Sequence, residues 1–170
     1  MLKYILSCIA MIALVACNKG QEPDPYINMP IGKEIPPTYR TIDIDNIDPE
    51  LKNEIFKYTK GGITVNNVDE LPEYTLFPIP QEFREIDYTK YTLLISHTTL
   101  AYDAENYRYN FYRDNLSDSY VFNTSFVIGA DSRLPDNIMN ISRNAIVVNK
   151  LPTDKKVTYS YGLYSSGVWD

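Results

Sequence analysis

The sequence predicts a mostly β fold of the α+β kind. It should be a single antiparallel β domain, a sandwich or curved sheet, with one short helix near residues 49–60 packed on it. Three observations lead there. From Gly62 onward the chain divides into short segments rich in Tyr, Val, Ile and Phe, separated by polar turns, the pattern of strands in sequence-adjacent pairs. Only Asp48 to Gly61 combines helix-capping residues with an apolar stripe at helical spacing. No internal repeat and no shift of composition marks a second domain, and a chain of 170 residues is long enough for one domain with a proper core.

The first element is a leader. Met1-Leu2-Lys3 places one positive charge ahead of an almost unbroken apolar run from Tyr4 to Val15, followed by the small residue Ala16 and then Cys17. That order describes a secretory signal peptide. A helix over Tyr4–Ala16 would be about 20 Å long, too short for a hydrocarbon core about 30 Å thick, which argues against a transmembrane anchor. Leu14-Val15-Ala16-Cys17 resembles the lipobox of bacterial lipoproteins. The resemblance implies that residues 1–16 are removed, that Cys17 Sγ carries diacylglycerol, and that the new amine is acylated. Each buried CH₂ of such a lipid contributes about 0.8 kcal/mol, and two or three chains together hold a protein stably on a membrane.

Charge and cysteine content then narrow the chemistry. The full chain carries a net charge of −6, and loss of Lys3 with the leader makes the remainder more acidic. An acidic surface argues against nucleic acid and against anionic lipid headgroups as partners. Cys8 leaves with the leader and Cys17 is taken by lipid, so no disulfide, no cysteine zinc site and no cysteine nucleophile is expected. No cofactor is implied. Stability has to come from the core.

Residues 17–40 are expected to form the lipidated cysteine and a tether. Five of the eleven prolines fall between Asn18 and Pro37, and proline fixes φ and removes a donor, favouring an extended, unpacked segment. Asn18, where a well-studied sorting rule places Asp for retention in the inner membrane, points to the outer membrane. Residues 41–170 should be the folded body. Thr41–Asp45 alternates like a short half-buried strand. Asp48 caps a helix whose first position suits Pro49; Leu51, Ile55, Phe56 and Tyr58 form its apolar stripe, Lys57 and Lys60 oppose the dipole, and Gly61-Gly62 ends it. So short a helix needs a sheet beneath it.

The strands follow. Ile63–Val65 is short. Leu71–Pro80 carries Pro72, Pro78 and Pro80, so it should be an edge strand or an extended strap. Tyr91–His97 is apolar on both faces and should be central. Tyr107–Tyr112 and Tyr120–Ile128 are joined by the polar turn Asp114–Asp118, and Ala145–Asn149 and Val157–Tyr164 complete an antiparallel sheet. Pro80–Tyr88 leading into Tyr91–Ile95, with Ala145–Pro152 later, resembles the small cell-envelope lipoproteins of Bacteroidales. That resemblance implies an envelope lipoprotein of uncharacterised function and brings no catalytic residues with it.

Candidate chemistry is sparse. His97 is the single histidine, and neighbouring Ser96 would point to the opposite face of a strand, so the pair makes no catalytic dyad. Asp43, Asp45, Asp48 and Glu50 cluster, but the stretch lacks the glycine and alternate ligands of a calcium loop, and no metal site is expected. Tyrosine is the strongest signal: fifteen occur, with Tyr102, Tyr107, Tyr109, Tyr112 and Tyr120 close together. Tyr107 and Tyr109 should share a face with Phe111 while Tyr112 points away. With Arg108 these rings could form a ligand platform of the kind that binds sugars or extended peptides, although tyrosine is also a good strand former. Arg108 and Arg113 could instead pair with Asp103, Glu105 or Asp114. No phosphate loop and no serine-nucleophile motif is present.

These features predict a lipid-anchored envelope protein, held at the membrane through Cys17, whose β domain binds a glycan, a peptide or another envelope protein without catalysis. Two alternatives remain open from sequence. One is a hydrolase or lyase acting on glycan or peptide with groups drawn from separate strands. The other is a protease inhibitor presenting Tyr74–Gln81.

Overall fold

The computed structural model describes residues 25–58, 61–73 and 76–166; the leader and Cys17 lie outside them. The strands are β1 (Tyr26–Asn28), β2 (Ile31–Asp43), β3 (Gly62–Val65), β4 (Tyr91–Leu100), β5 (Tyr102–Asp114), β6 (Ser119–Arg133), β7 (Ile138–Asn149) and β8 (Val157–Ser165), with helices α1 (Pro49–Tyr58) and α2 (Gln81–Arg84). They form two four-stranded sheets, in order β1-β5-β6-β8 and β2-β7-β4-β3. Among the described residues no helix is long and apolar enough to cross a membrane.

The sheets pack as a sandwich because strand alternation gives each of them an apolar inner face. Leu94, Ile146 and Val148 from one sheet meet Tyr109, Phe111, Tyr120 and Phe122 from the other. The hydroxyl of Tyr109 crosses the interface and donates to the Ile35 carbonyl at 2.9 Å. The second sheet is covered on its outer face too. Leu93, Ile95, Ala145 and Val147 lie under Leu71, Ile79, Phe83 and Ile86, while Ile42 and Ile141 lie under Ile55, Leu76 and Phe77. Burial on both sides is why Thr92–Thr98 is buried throughout and reads as a continuous core strand. The helix therefore rests on a sheet as its length requires, through Leu51 and Ile55. The side chains of Phe56, Lys57 and Tyr58, and all of Lys60, lie outside the described residues.

Two expectations are corrected. The stretch from Tyr26 is not a free tether: Tyr26–Asn28 pairs with β5, and Ile31–Asp43 pairs antiparallel with β7. Pro36 and Pro37 are accommodated because β2 is an edge strand and they fall in the register shift between Ile35 and Thr38, where a missing N–H breaks no ladder bond. The folded body thus begins well before residue 41. Strand order is also not antiparallel throughout, since β8 runs parallel to β6: β7 has crossed to the other sheet, so β8 reaches β6 from the opposite side of the sandwich. Of the two readings of Leu71–Pro80, its described residues follow the extended strap, with no strand among them, and it leads into α2, which buries Phe83.

Candidate functional site

The tyrosine platform does not assemble on the surface. Tyr109 and Tyr120 are buried, and Tyr107 packs against the same inter-sheet cluster. Tyr109 sits edge-on to Phe122 with centroids 5.5 Å apart, and Tyr120 stacks on Phe111. Tyr112 lies on the opposite face as expected, edge-to-face with Tyr26 at 5.4 Å, and Arg108 is exposed. Tyr107, Tyr109 and Tyr120 serve the core because large flat rings fill a sandwich interior well. Arg113 pairs with Asp118 at 2.8 Å, in place of the acids expected for it from sequence, and Lys155 reaches the same carboxylate.

The acidic cluster is a local turn. Asp43 accepts from the Asp45 amide at 3.1 Å, from Asn46 Nδ2 at 2.7 Å and from Asn137 Nδ2 at 3.2 Å. Those bonds, Asn46 foremost, hold its carboxyl below the usual range. Among the described residues no group of three or more His, Cys, Asp or Glu is placed to hold a metal ion.

His97 and Arg143 form a buried pair beneath the strap. They are Cα partners on adjacent strands. The Arg143 guanidinium donates to the Pro78 carbonyl at 3.0 Å and to Thr38 Oγ1 at 3.3 Å, and it lies over the rings of Phe77 and Phe83 at 5.4 and 5.3 Å. The His97 ring lies 5.6 Å from Phe77. Burial, then the Arg143 charge, pushes the imidazole down to about 4, so it is neutral at pH 7. The arrangement fastens Phe77 and Pro78 to the sheet. With Leu76 and Phe77 buried, this part of the strap does not protrude as an inhibitory loop would; Tyr74 lies outside the described residues.

The cavities remain. The largest described, about 490 Å³, is a surface groove lined by Lys33, Glu82, Glu85 and Asp87 with Tyr91. The Lys33–Glu82 ion pair bridges it at 2.7 Å. A smaller one of about 150 Å³ lies between α1 and the sheet, lined by Ile42, Ile55 and Met139.

A third cavity, about 230 Å³, opens at the β3–β8 edge of the sandwich and is lined by Gly61, the segment Ser96–Thr98, Tyr159, Ser160 and Tyr161. Its walls follow from local packing. Gly62 leaves room for the Tyr159 ring, which a Cβ at that position would meet at 2.2 Å. The Tyr159 hydroxyl lies 2.8 Å from Thr64 Oγ1, closing one sheet onto the other. Ser96 does face away from His97, as expected. Its hydroxyl belongs to the inner face with Leu94 and is buried without a hydrogen-bond partner.

Two further polar groups in that inner layer are in the same condition, Asn144 Nδ2 and Thr124 Oγ1. Asn144 is the Cα partner of Ser96 on β7, and Thr124 is the Cα partner of Tyr161 on β6. Of the three only Ser96 belongs to the cavity's lining; Asn144 and Thr124 are fully buried in the layer between the sheets. Buried polar groups in folded proteins are nearly all paired with protein, water or ligand. This is the residue set that sequence reading missed. The available signal was the change along β4 and β7 from Leu94, Ile146 and Val148 to Ser96, Thr98, Ser142 and Asn144 on one face. Comparison with known proteins adds nothing: no family model, no curated protein and no solved structure matches the chain.

Proposed function

We propose that this protein is a lipid-anchored cell-envelope module that binds its ligand without transforming it, and that the cavity at the β3–β8 edge is where binding occurs. The leader and the lipobox-like Leu14–Cys17 support the anchor and Asn18 the outer membrane. The observation that carries the binding role is the cavity wall, in which hydroxyls and tyrosine rings stand together on a chain of net charge −6. His97, the histidine among the lining residues, turns its ring to Phe77 on the other face of the strand and is neutral at pH 7. Polar groups set in a concave, partly aromatic wall orient a ligand, whereas acid–base catalysis needs titratable groups poised near the working pH.

Two measurements test this. Labelled fatty acid should follow the wild-type chain and be lost from Cys17→Ala; label retained by the variant would overturn the anchor. Envelope polymer freed of lipid should retain the protein and leave Tyr161→Ala in solution, both compared in the Cys17→Ala background. Release of a new product from that material by the wild-type chain would overturn a purely binding role.

A further inference from the structure

We infer that the ligand of the β3–β8 cavity is a single neutral sugar ring, the exposed residue of a glycan. This deepens the binding role proposed above and rests on it. Four features of the cavity converge on that class.

Size comes first. At about 230 Å³ the space holds roughly seven or eight waters at about 30 Å³ each, the scale of one hexose. It falls below the about 300–1,000 Å³ of drug-sized sites and is too small for a length of peptide. The second is charge. No Lys, Arg, Asp or Glu lines the cavity, so nothing there would repay the desolvation of a phosphate, a carboxylate or an amine.

The third is the hydroxyl content of the lining. Ser96, Thr98 and Ser160 each carry a hydroxyl that can donate and accept, and Ser96 Oγ has no partner within the protein. A ligand answering such a wall must carry several groups that both donate and accept, which is what adjacent ring hydroxyls do. The fourth is the aromatic rim. Tyr159 forms an inner wall, and Tyr161, 54 % exposed, stands at the mouth. A flat ring beside polar groups suits a ligand with one C–H face and one hydroxyl edge. A purely apolar guest would leave Ser96 Oγ orphaned, and a fully polar ion would find no use for the rings.

The test is saturation-transfer NMR on the full-length chain with free glucose, galactose, mannose and N-acetylglucosamine, with glucuronate as an anionic counterpart. At least one neutral sugar should bind saturably with Kd of about 1–10 mM, as one small ring in a shallow site allows, and glucuronate should bind at least tenfold more weakly. Ser96→Ala and Tyr161→Ala should each weaken binding about tenfold, while Leu116→Ala, outside the cavity, should not.

Ser96→Ala removes an unpaired hydroxyl, so its melting temperature should stay level or rise. A lowered melting temperature with unchanged sugar binding would show that Ser96 serves the fold, and would overturn the inference. So would absence of saturable binding for every sugar, or a crystal grown in sugar with only water in the cavity. Lipid-free envelope polymer that retains the Cys17→Ala protein but not its Tyr161→Ala form, together with no response to sugars, would remove the sugar and leave the binding role standing. No retention and no sugar response would remove both.

Discussion

Acidification should loosen this protein through His97 before its carboxylates titrate. The imidazole has a folded pKa of about 4 against an ordinary 6.5, because burial and then Arg143 oppose its charge. Between those two values the unfolded chain binds a proton that the folded chain refuses. Stability is therefore fully present above pH 6.5 and declines as pH falls towards 4. The difference in pKa corresponds to about 3 kcal/mol at 1.36 kcal/mol per unit. Relative to pH 7, roughly 0.7 kcal/mol should be lost by pH 6, about 2 by pH 5 and about 3 by pH 4. Asp43, Asp87, Asp114 and Asp118 are held below the usual carboxylate range by their hydrogen bonds, so their contribution is lost mainly at still lower pH. Urea unfolding at pH 7, 6 and 5 measures the slope, and His97→Phe should flatten it while filling the same place beside Phe77. A wild-type stability that is level between pH 7 and 5, or an equal slope in His97→Phe, would refute the reasoning.

Two further substitutions probe how the sheets are joined. Tyr109→Phe should destabilise by about 1–3 kcal/mol, because it strands the Ile35 carbonyl that the hydroxyl now satisfies at 2.9 Å; a change in unfolding free energy near zero would mean that water replaces the bond. Gly62→Ala should destabilise by about 1–3 kcal/mol, since the added methyl overlaps the Tyr159 ring and forces its hydroxyl away from Thr64. It should also weaken ligand binding, and wild-type stability in that variant would show that the ring moves freely.

Much of the architecture was legible where local chemistry decides it. The Asp48-Pro49 start of the helix, the turn at Asp114–Asp118 and the double burial of Tyr91–His97 are each written in a few adjacent residues. What could not be read depends on partners far along the chain. Pro36-Pro37 looked like linker because the register shift that accommodates them is set by β7, more than a hundred residues away in sequence. The direction of β8 depended on which sheet β7 had joined. The tyrosines near 107–120 gave the right faces and the wrong environment, since alternation distinguishes one face from the other but not which one is covered. Ser96 reads from sequence only as a poor partner for His97, because the unpaired state of its hydroxyl on the inner face depends on strands of both sheets.

The early start of the folded body has a consequence for how the protein would sit in its compartment. With a glyceride on Cys17, at most nine residues lead to Tyr26, a reach of about 30 Å when fully drawn out. Pro25 is already bound to the β5–β6 turn, its carbonyl accepting from the Asn115 amide at 2.9 Å. That hairpin, with Leu116 81 % exposed at its tip, would then be the underside of the molecule, on a leash too short for it to swing away from the bilayer. Whatever it captures would be taken from the layer of envelope directly above the lipid.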